Sequence, residues 1–552
     1  MKKRNGFTIS AGLIVLVRPL ILFMFFAILF GTLGHLCALA IPVLGEWALR
    51  TAVGIGGRVE LKTLFIAVLV CALFRGVLHY AEQTLNHFIA FKLLAELRDK
   101  IFRALRKLCP AKLEGKDRGD LIALITADIE LLEVFYAHTI SPVAIAVLFS
   151  GAVCVFLARI HSIFALIAAL SHIVVGIIIP LLTAKSADGT GMRFRSGAGD
   201  LSSHVLESLR GLSEILQYGT GEKRLQQMED KSKRLMRVQK EMRTHEGRNG
   251  AVSSAVILFF SCLILFAGAV LQRKGAIAFG GLLTGFITLT SSFGPAVALA
   301  NLGSTLQNTF AAGNRLLNII EETPETNDIT GKAVVAFDGA DAQNVDFSYG
   351  QKPTLSAVSV AFPKNKIVGI AGKSGSGKST LLKLLMRFWS VKGGAVNISG
   401  KNIEEINTDN LRGMECYVTQ ETHLFCGSIE DNVRIAKADA AREEIVAACK
   451  KACVHDFIMT LPDGYNTPAG ELGGALSTGE RQRIGLARAF LHGGDFMLFD
   501  EPTSNLDSLN EAGILKAIRE ERTDKAVVLV SHRESSMRIA DEVHTIGGGV
   551  FT

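Results

Sequence analysis

A glycine-rich loop in the second half of the chain has the composition of a phosphate-binding site. Residues 372–380 read Gly-Lys-Ser-Gly-Ser-Gly-Lys-Ser-Thr, between an apolar run typical of a buried strand and the helix-like Leu-Leu-Lys-Leu-Leu-Met-Arg-Phe. Glycines let backbone N–H groups converge on phosphate oxygens, and the following helix presents its positive end to them. We expect Lys378 to bind the β- and γ-phosphates of a nucleotide and Ser379 to ligate Mg²⁺. The predicted nucleotide-binding residues of this loop are Gly372, Ser374, Gly375, Gly377, Lys378, Ser379 and Thr380.

Two carboxylates end a second predicted strand and complete the chemistry that such a loop needs. The run Phe-Met-Leu-Phe leads into Asp500 and Glu501, which we predict to hold the metal ion and to act as general base towards an attacking water. His532 ends another apolar strand, where it is placed to contact the γ-phosphate. Gln420 ends one more and is placed to sense the metal ion and the water. Tyr349 is a candidate for stacking on adenine, although a single tyrosine is more often a packing residue.

A short polar turn lies between the glycine-rich loop and the carboxylate strand, in an interval long enough for an inserted helical subdomain. Residues 476–480 read Leu-Ser-Thr-Gly-Glu, and apolar residues at helical spacing follow them. The start of this helix offers Ser477, Gly479 and free backbone N–H groups to an anion.

The chain of 552 residues divides into two halves of different composition. Hydrophobic residues make up 49 % of the whole, and the long apolar runs lie in roughly the first three hundred residues. An α-helix needs about 20 apolar residues to cross a bilayer. The six qualifying runs are residues 20–44, 61–79, 141–160, 163–182, 251–271 and 276–302. Six buried helices of a soluble bundle are the alternative, but soluble helices rarely run so long without a charge.

Two polar segments rich in lysine and arginine, residues 88–139 and 184–249, interrupt the apolar runs and have helical periodicity. The positive-inside rule places both segments, and both ends of the chain, in the cytoplasm. The predicted outer loops are short but also contain basic residues, Arg50 among them. We assign the net charge of +7 to an anionic membrane surface rather than to nucleic acid, because the chain has no basic stripe with interleaved aromatic residues.

A few polar residues interrupt the apolar runs. Arg75, His79 and Glu82 share one helical face, and His87 follows on the same predicted helix. A charge in lipid is costly, so we expect Arg75 to face the bundle interior or water. Arg75, His79 and His87 are therefore candidates for a substrate pathway. Helix-to-helix hydrogen bonds or snorkelling explain the same residues equally well, and we favour a structural role of this kind for His172.

The acidic segment 321–328, which contains a proline, separates the two halves. The predicted fold is an all-α transmembrane domain with six helices over residues 1–320, followed by an α/β ATPase domain over residues 333–552. The nine cysteines form no Cys-X-X-Cys pair, and we interpret them as free thiols.

In their order along the chain, these motifs resemble those of the ABC transporter superfamily. The glycine-rich loop, Gln420, the turn at Ser477, the Asp500-Glu501 pair and His532 all stand in the family order, and six spans ahead of one ATPase domain are typical of an exporter-type half-transporter. The resemblance implies ATP hydrolysis, with Mg²⁺, coupled to transport across the plasma membrane. It also implies a dimer in which each ATP lies between the loop of one chain and the Ser477 turn, the signature, of the other.

The signature departs from the usual Leu-Ser-Gly-Gly-Gln of the family, because Thr478 and Glu480 replace the first of the two glycines and the glutamine. A threonine methyl group where backbone approaches phosphate crowds the site, so we expect the ATP site that uses this signature to be slower or weaker. Unequal sites are a mark of heterodimers in this family, and we favour a heterodimer with a second half-transporter. A mainly regulatory, nucleotide-binding subunit is an alternative, and a soluble ABC ATPase acting on nucleic acid is a second.

The membrane half resembles more narrowly the CydC-type subunit of the CydDC transporters. The similarity lies in residues 75–87, in Gly-Asp-Leu at 119–121, in Asp-Ile-Glu at 128–130 and in Ser-Pro at 141–142. That family is associated with cytochrome bd assembly, with export of cysteine or glutathione, and with haem. The resemblance implies that Arg75, His79 and His87 contact thiol carboxylates, or haem propionates and iron. Related exporter-type pairs move drugs, peptides or lipids, and some are importers.

Overall fold

The computed structural model describes residues 4–54, 59–115, 118–186, 189–300, 303–470, 476–547 and 549–551. The chain forms two compact units, of which the first comprises Met1–Leu105 and Gly115–Glu322 and the second Arg106–Glu114 and Thr323–Thr552. The short segment Arg106–Glu114 is thus grouped with the second unit although the first unit flanks it on both sides in sequence.

The first unit is helical throughout its described residues, apart from short turns. Its helices are α1 (Gly6–Leu16), α2 (Ile21–Ala52), α3 (Leu61–Leu108), α4 (Arg118–Ala123), α5 (Ile129–Phe135), α6 (Ser141–Ala158), α7 (Ser162–Ile173), α8 (Ile179–Ser186), α9 (Thr190–Arg210), α10 (Leu212–Gln217), α11 (Gly221–Arg273), α12 (Phe279–Ser291), α13 (Gly294–Ala300) and α14 (Gly303–Ile320). The last residues of α3, from Arg106 onward, belong to the second unit.

Six helical stretches of the described chain are long and apolar enough to cross a membrane, which confirms the predicted number. They are Arg18–Ala52, Leu61–Leu108, Leu121–Ala158, Ser162–Thr183, Gly221–Arg273 and Phe279–Ala300. Three of them extend well past the apolar runs seen in the sequence, because the polar segments continue the same helices. Arg50 was predicted in an outer loop, and this was wrong: it lies in the last turn of α2, which ends at Ala52.

Glycines let the spans approach one another closely. A Cβ on Gly285 in α12 would stand 2.4 Å from the ring of Phe164 in α7, and one on Gly268 in α11 would stand 3.0 Å from Leu282. The Phe164 ring is fully buried between these helices, together with Phe260. Inside a bilayer the hydrophobic effect does not drive helices together. Small residues at helix contacts allow extensive van der Waals packing, which stabilises the association instead.

The second unit has two sheets covered by short helices. The strands are β1 (Ala340–Phe347), β2 (Leu355–Phe362), β3 (Ile367–Gly372), β4 (Gly393–Ile398), β5 (Lys401–Asn402), β6 (Glu415–Val418), β7 (Phe496–Asp500), β8 (Ala526–Val530), β9 (Glu542–Gly547) and β10 (Val550–Phe551). The helices are α15 (Lys378–Leu385), α16 (Thr408–Met414), α17 (Ile429–Arg434), α18 (Arg442–Lys451), α19 (His455–Thr460), α20 (Thr478–His492), α21 (Ser508–Glu521) and α22 (Glu534–Met537).

The order of strands in the larger sheet decides where the functional residues meet. That order is β10-β9-β3-β8-β7-β6, and the four strands β3, β8, β7 and β6 are parallel. Strands β7 and β8 are buried along their whole length, as their apolar sequences predict. Parallel strands end at the same edge of a sheet, so the residues that follow β3, β6, β7 and β8 come together there. Helices α17 to α20 fill the interval between β6 and β7, where the sequence left room for a helical subdomain.

Candidate nucleotide-binding site

The loop between β3 and α15 is curled around its own lysine. The Lys378 amine donates hydrogen bonds to the carbonyl oxygens of Gly372, at 2.8 Å, and Lys373, at 2.9 Å. Gly377 caps the helix at φ 102°, and a Cβ there would stand 2.7 Å from Leu355 Cδ2. Gly375 also has a positive φ, of 79°. The glycines are thus required by the curvature of the loop, which gives its N–H groups the arrangement that a phosphate needs.

Ser379 and Asp500 form the oxygen pair expected to hold Mg²⁺. The Ser379 hydroxyl, at the start of α15, lies beside the Asp500 carboxylate, and Asp500 is buried at the end of β7. Burial raises the pKa of Asp500 above its usual value and the charge of Glu501 adds to the rise, whereas the Ser379 hydroxyl opposes it. A hydroxyl and a buried carboxylate fit Mg²⁺, which prefers oxygen ligands. Gln420, also predicted to contact the metal ion, bonds to Glu501 instead.

The Glu501 carboxylate contacts two side chains that follow other strands, Gln420 after β6 and His532 after β8. Its Oε1 lies 3.1 Å from His532 Nδ1, and its Oε2 accepts a hydrogen bond of 3.3 Å from Gln420 Nε2. Its backbone has φ 51°, a left-handed conformation that is uncommon and costly for a residue other than glycine. The structure therefore brings together the three residues predicted to be catalytic, with the carboxylate at their centre.

Gln482 is a part of this site that the sequence analysis missed. It lies on α20 with only 2 % of its surface exposed. Its amide nitrogen donates to the carbonyl oxygen of Glu501 at 2.8 Å, and its amide oxygen accepts from the N–H of Asn505 at 3.3 Å. A signal was present in the sequence, because Gln482 precedes Leu486 by one helical turn and so lies on the apolar face of the helix.

Tyr349 is held by aromatic edges and by the end of the phosphate loop. Its hydroxyl lies 3.3 Å from Thr380 Oγ1, and its ring meets Phe347 and Trp389 edge-on, with centroids 4.9 and 5.1 Å away. The Tyr349 residue is 46 % exposed. An exposed ring with a fixed orientation beside the phosphate loop is suited to stacking on a base. Trp389 was not identified from the sequence.

The signature turn caps α20 through two reciprocal hydrogen bonds. The Ser477 hydroxyl accepts from the N–H of Glu480 at 3.4 Å, and the Glu480 carboxylate accepts from the N–H of Ser477 at 2.7 Å. Thr478 Oγ1 accepts from Arg481 at 3.2 Å. Ser477 and Thr478 are exposed, while Gly479 is half-buried: a Cβ on it would stand 2.8 Å from the carbonyl oxygen of Asn505. Residues 471–475, just ahead of the turn, lie outside the described residues.

Of the three candidate substrate residues of the membrane half, Arg75 and His79 both lie close enough to His35 to interact with it electrostatically, whereas His87 lies beside Glu133. Arg75 is exposed in the single chain. His79 is also exposed, and its Nδ1 lies 3.2 Å from an oxygen of the buried Glu82. His87 belongs to a different group, with its Nδ1 3.5 Å from Glu133 Oε1. The structure therefore does not assemble Arg75, His79 and His87 into one binding site within a single chain.

His172 has the helix-to-helix contact expected for a structural residue. Its Nε2 lies 3.0 Å from the Ser292 hydroxyl, and both residues are buried. Its ring also meets the edge of Phe293, with centroids 5.3 Å apart. The Nε2 contact joins two buried polar groups from different helices, as expected for a structural residue, whereas the buried Nδ1 atom has no hydrogen-bond partner among the described residues.

An ion pair between the buried Glu46 and the partly buried Arg50, near the end of α2, was not predicted from the sequence. Glu46 Oε1 lies 2.5 Å from Arg50 Nε, and the Thr284 hydroxyl of α12 donates to Glu46 Oε2 at 3.0 Å. The guanidinium occupies the place of a side chain on Gly280, where a Cβ would stand 1.7 Å from Arg50 Nη1. Charges inside a span are costly unless paired, so this contact between α2 and α12 is specific.

Within the second unit, the segment Arg106–Glu114 has polar contacts to residues next to the nucleotide loop. Glu114 pairs with Lys383 on α15 and accepts a hydrogen bond of 3.4 Å from the indole nitrogen of Trp389. Lys112 pairs with Glu325 at 2.7 Å. The segment is therefore linked to the helix that carries Lys378 and to the aromatic residue that orients Tyr349.

Comparisons with known proteins agree with this arrangement. The family model described as ABC transporter matches residues 355–504, and the model described as ABC transporter transmembrane region matches residues 24–295. The chain is 45 % identical over 549 residues to a probable ABC transporter ATP-binding/permease protein of Haemophilus influenzae, covering 99 % of each chain. It is 30 % identical to an ATP-dependent lipid A-core flippase of the same species, covering 89 % of this chain and 84 % of that one.

A solved structure of a bacterial Atm1-family ABC exporter with ATP bound has the same fold. The two superpose with a TM-score of 0.84 at 22 % identity, over 97 % of this chain and 94 % of the exporter.

Proposed function

Because this chain belongs to the ABC transporter family of ATP-hydrolysing exporters, we propose that it is one half of a CydDC-like heterodimer that moves a small thiol or haem across the plasma membrane. ATP-driven export by a multi-pass membrane protein with a cytoplasmic ATPase domain is what the family match and the six spans establish. The narrower cargo, the CydDC-like type and the preference for a heterodimer are proposals.

The meeting of Gln420, Glu501 and His532 beside the phosphate loop is the observation that carries the hydrolytic mechanism. Lys378 and the loop N–H groups bind the β- and γ-phosphates of ATP. Ser379 and Asp500 would hold Mg²⁺, which would supply neutralisation of the phosphate charge. Glu501 accepts a proton from the attacking water as general base, and Gln420 and His532 hold its carboxylate in position.

The signature turn supports the proposal of a two-chain ATP site. Ser477 and Thr478 are exposed at the start of α20, so their surface is accessible to a nucleotide held by another subunit. Thr478 places a side chain where the usual signature has glycine, which favours two unequal sites and hence a heterodimer. In this scheme ATP binding joins the two ATPase domains, and hydrolysis separates them.

The cargo proposal rests on Arg75, His79 and His87. Arg75 and His79 are exposed in the single chain, so they are accessible to cargo or to the second subunit. A guanidinium and an imidazole suit the carboxylates of cysteine or glutathione, or haem propionates and iron. His87 lies in its own cluster, so we expect it to contribute less than the other two. The names of relatives with lower identity point to lipid, fatty acid and multidrug transport as the alternative cargo classes.

The test is Glu501→Gln in the transporter purified together with its partner. We expect ATP hydrolysis to fall by about 10²- to 10⁴-fold, with nucleotide retained through gel filtration, since only the proton acceptor is lost. Mass spectrometry of the same preparation identifies the second chain and any cysteine, glutathione or haem that accompanies it. Unchanged hydrolysis in the variant, or a single copy of this chain that hydrolyses ATP at full rate, contradicts the proposal.

A further inference from the structure

The contacts of Gln482 connect the signature helix α20 with Glu501. Under the proposed function, these two parts of the ATPase unit contact different nucleotides. The helix α20 that carries Gln482 begins at the signature turn, assigned to the nucleotide of the partner chain. The carbonyl oxygen that Gln482 bonds belongs to Glu501, the general base for the nucleotide of this chain. The residue is buried, so its amide has no competing contact with water.

A side-chain amide can make this whole set of hydrogen bonds, because it carries two N–H donors and one acceptor oxygen. The Glu501 carbonyl oxygen requires a donor, which the amide nitrogen of Gln482 supplies at 2.8 Å. The N–H of Asn505 requires an acceptor, which the amide oxygen supplies at 3.3 Å. The same nitrogen lies 3.3 Å from the Ser504 hydroxyl. Gln482 therefore contacts the turn that follows Glu501 at both Ser504 and Asn505.

These contacts hold a backbone that is unfavourable by itself. Glu501 has φ 51°, and such a conformation persists only where surrounding contacts impose it. Two contacts impose it here, since the Glu501 N–H donates to the carbonyl oxygen of Val530 at 2.9 Å and Gln482 bonds its carbonyl oxygen. The direction of the Glu501 carboxylate therefore depends on the position of α20.

We propose that Gln482 is a positioning residue that sets the backbone of Glu501 and transmits the occupancy of the signature end of α20 to the hydrolysis site of its own chain. A nucleotide bound at Ser477 shifts or steadies α20, and the amide carries that change to Glu501 and to the Ser504–Asn505 turn. The close approach of Gly479 to Asn505 supports the connection, because a Cβ would stand only 2.8 Å from the Asn505 carbonyl oxygen. This inference rests on the proposed two-chain ATP site.

The experiment compares Gln482→Met with Ile484→Val in the transporter assembled with its partner in lipid nanodiscs. Methionine matches the volume of glutamine but makes no hydrogen bonds, and Ile484 lies on the same helix in the apolar core. For Gln482→Met we expect kcat to fall by about tenfold or more while the affinity for ATP changes by less than about twofold. Ile484→Val should change neither quantity, and both variants should unfold at a similar temperature.

A double-mutant cycle with Ser477→Ala tests the coupling itself. If Gln482 transmits the state of the signature, Ser477→Ala lowers kcat in the wild-type background but has little further effect in Gln482→Met. Gln482→Glu provides a second variant, because its carboxylate accepts from Asn505 but cannot donate to Glu501, and we expect it to be no more active than Gln482→Met.

Three results would overturn the inference. An unchanged kcat in Gln482→Met removes the positioning role, and independent, multiplicative effects of Ser477→Ala and Gln482→Met remove the coupling. A parallel loss of kcat, ATP affinity and unfolding temperature indicates a merely structural residue. Glu501→Gln, measured beside them, separates this inference from the proposed function: if that variant still hydrolyses ATP, the assignment of Glu501 fails, whereas an inactive Glu501→Gln with a fully active Gln482→Met refutes only the role of Gln482.

Discussion

The ATPase unit and the membrane unit differ in where their polar side chains contact one another. At the sheet edge, Gln420, Glu501 and His532 come from three distant positions in the chain and meet within 3.3 Å. In the membrane unit, His79 pairs with Glu82, and Glu46 with Arg50, each within one turn of the same helix. A parallel sheet concentrates chemistry at one edge, whereas the polar pairs of the helical unit are spread along its helices, some within one helix and others, such as His87–Glu133 and Asp128–Arg315, between helices. The ATP chemistry is therefore readable from motifs, and the cargo is not.

The largest effect that this contrast predicts is on the phosphate loop. Lys378→Met removes the cation that we assign to the β- and γ-phosphates, and we expect ATP hydrolysis by the assembled transporter to fall by at least about 10²-fold. Steady-state ATPase measurements, with Lys364→Met as a control outside the loop, check this. A small loss would favour the alternative in which this chain is mainly a regulatory subunit.

A second prediction concerns the Glu46–Arg50 pair in the membrane unit. Glu46→Ala leaves the Arg50 guanidinium without its carboxylate. Because the Arg50 side chain is 21 % exposed, we expect the loss of stability to lie below the roughly 3–5 kcal/mol typical of fully buried pairs, at about 2–3 kcal/mol. Thermal unfolding in nanodiscs measures the loss, and Asp99→Ala, in an exposed pair with Arg103, is the matched control at under about 1 kcal/mol. The double variant Glu46→Gln with Arg50→Met removes both charges and should recover most of the stability. If it does not, the broken ion pair is not the cause of the loss in Glu46→Ala.

The sequence predicted those features that depend on spacing along the chain. The phosphate loop needs fixed positions between one strand and one helix, and a span needs only an unbroken apolar run. The loop lies between β3 and α15 as its motif predicts, and the number of spans is confirmed. Arg50 was misplaced, because the helix continues past the apolar run and pairs the arginine internally. Gln482 and Trp389 were missed, because their roles depend on backbone atoms and rings that are distant in sequence and adjacent only in the fold.

A third prediction tests whether the exposed polar residues of the second span bind cargo. We expect Arg75→Ala and His79→Ala each to weaken binding of an anionic cargo by about tenfold or more, since each removes a charge-assisted hydrogen bond. Titration of the nanodisc-embedded transporter with cysteine, glutathione and haem measures this, with Arg159→Ala as the control. Equal affinities in all variants would assign Arg75 and His79 to contacts with the second subunit or with lipid.

The smallest predicted effect is at the Glu114–Lys383 pair, which joins two distant parts of the chain but is partly exposed to solvent. Glu114→Lys replaces an attraction with a repulsion in a partly exposed pair, so we expect cargo-stimulated ATPase activity to fall by only about two- to fivefold. The charge-swapped double variant, Glu114→Lys with Lys383→Glu, should recover most of the loss. Failure of the swap to recover it would assign the role of Glu114 to its Trp389 contact instead.

The uninterrupted length of α11 has a mechanical consequence. With 53 residues and no proline, this one helix is about 80 Å long, because each residue adds about 1.5 Å. A tilt of about 5° displaces one end of such a rod by roughly 7 Å relative to the other. A small angular change at one end of α11 therefore displaces the other end by a distance comparable to the width of an amino acid.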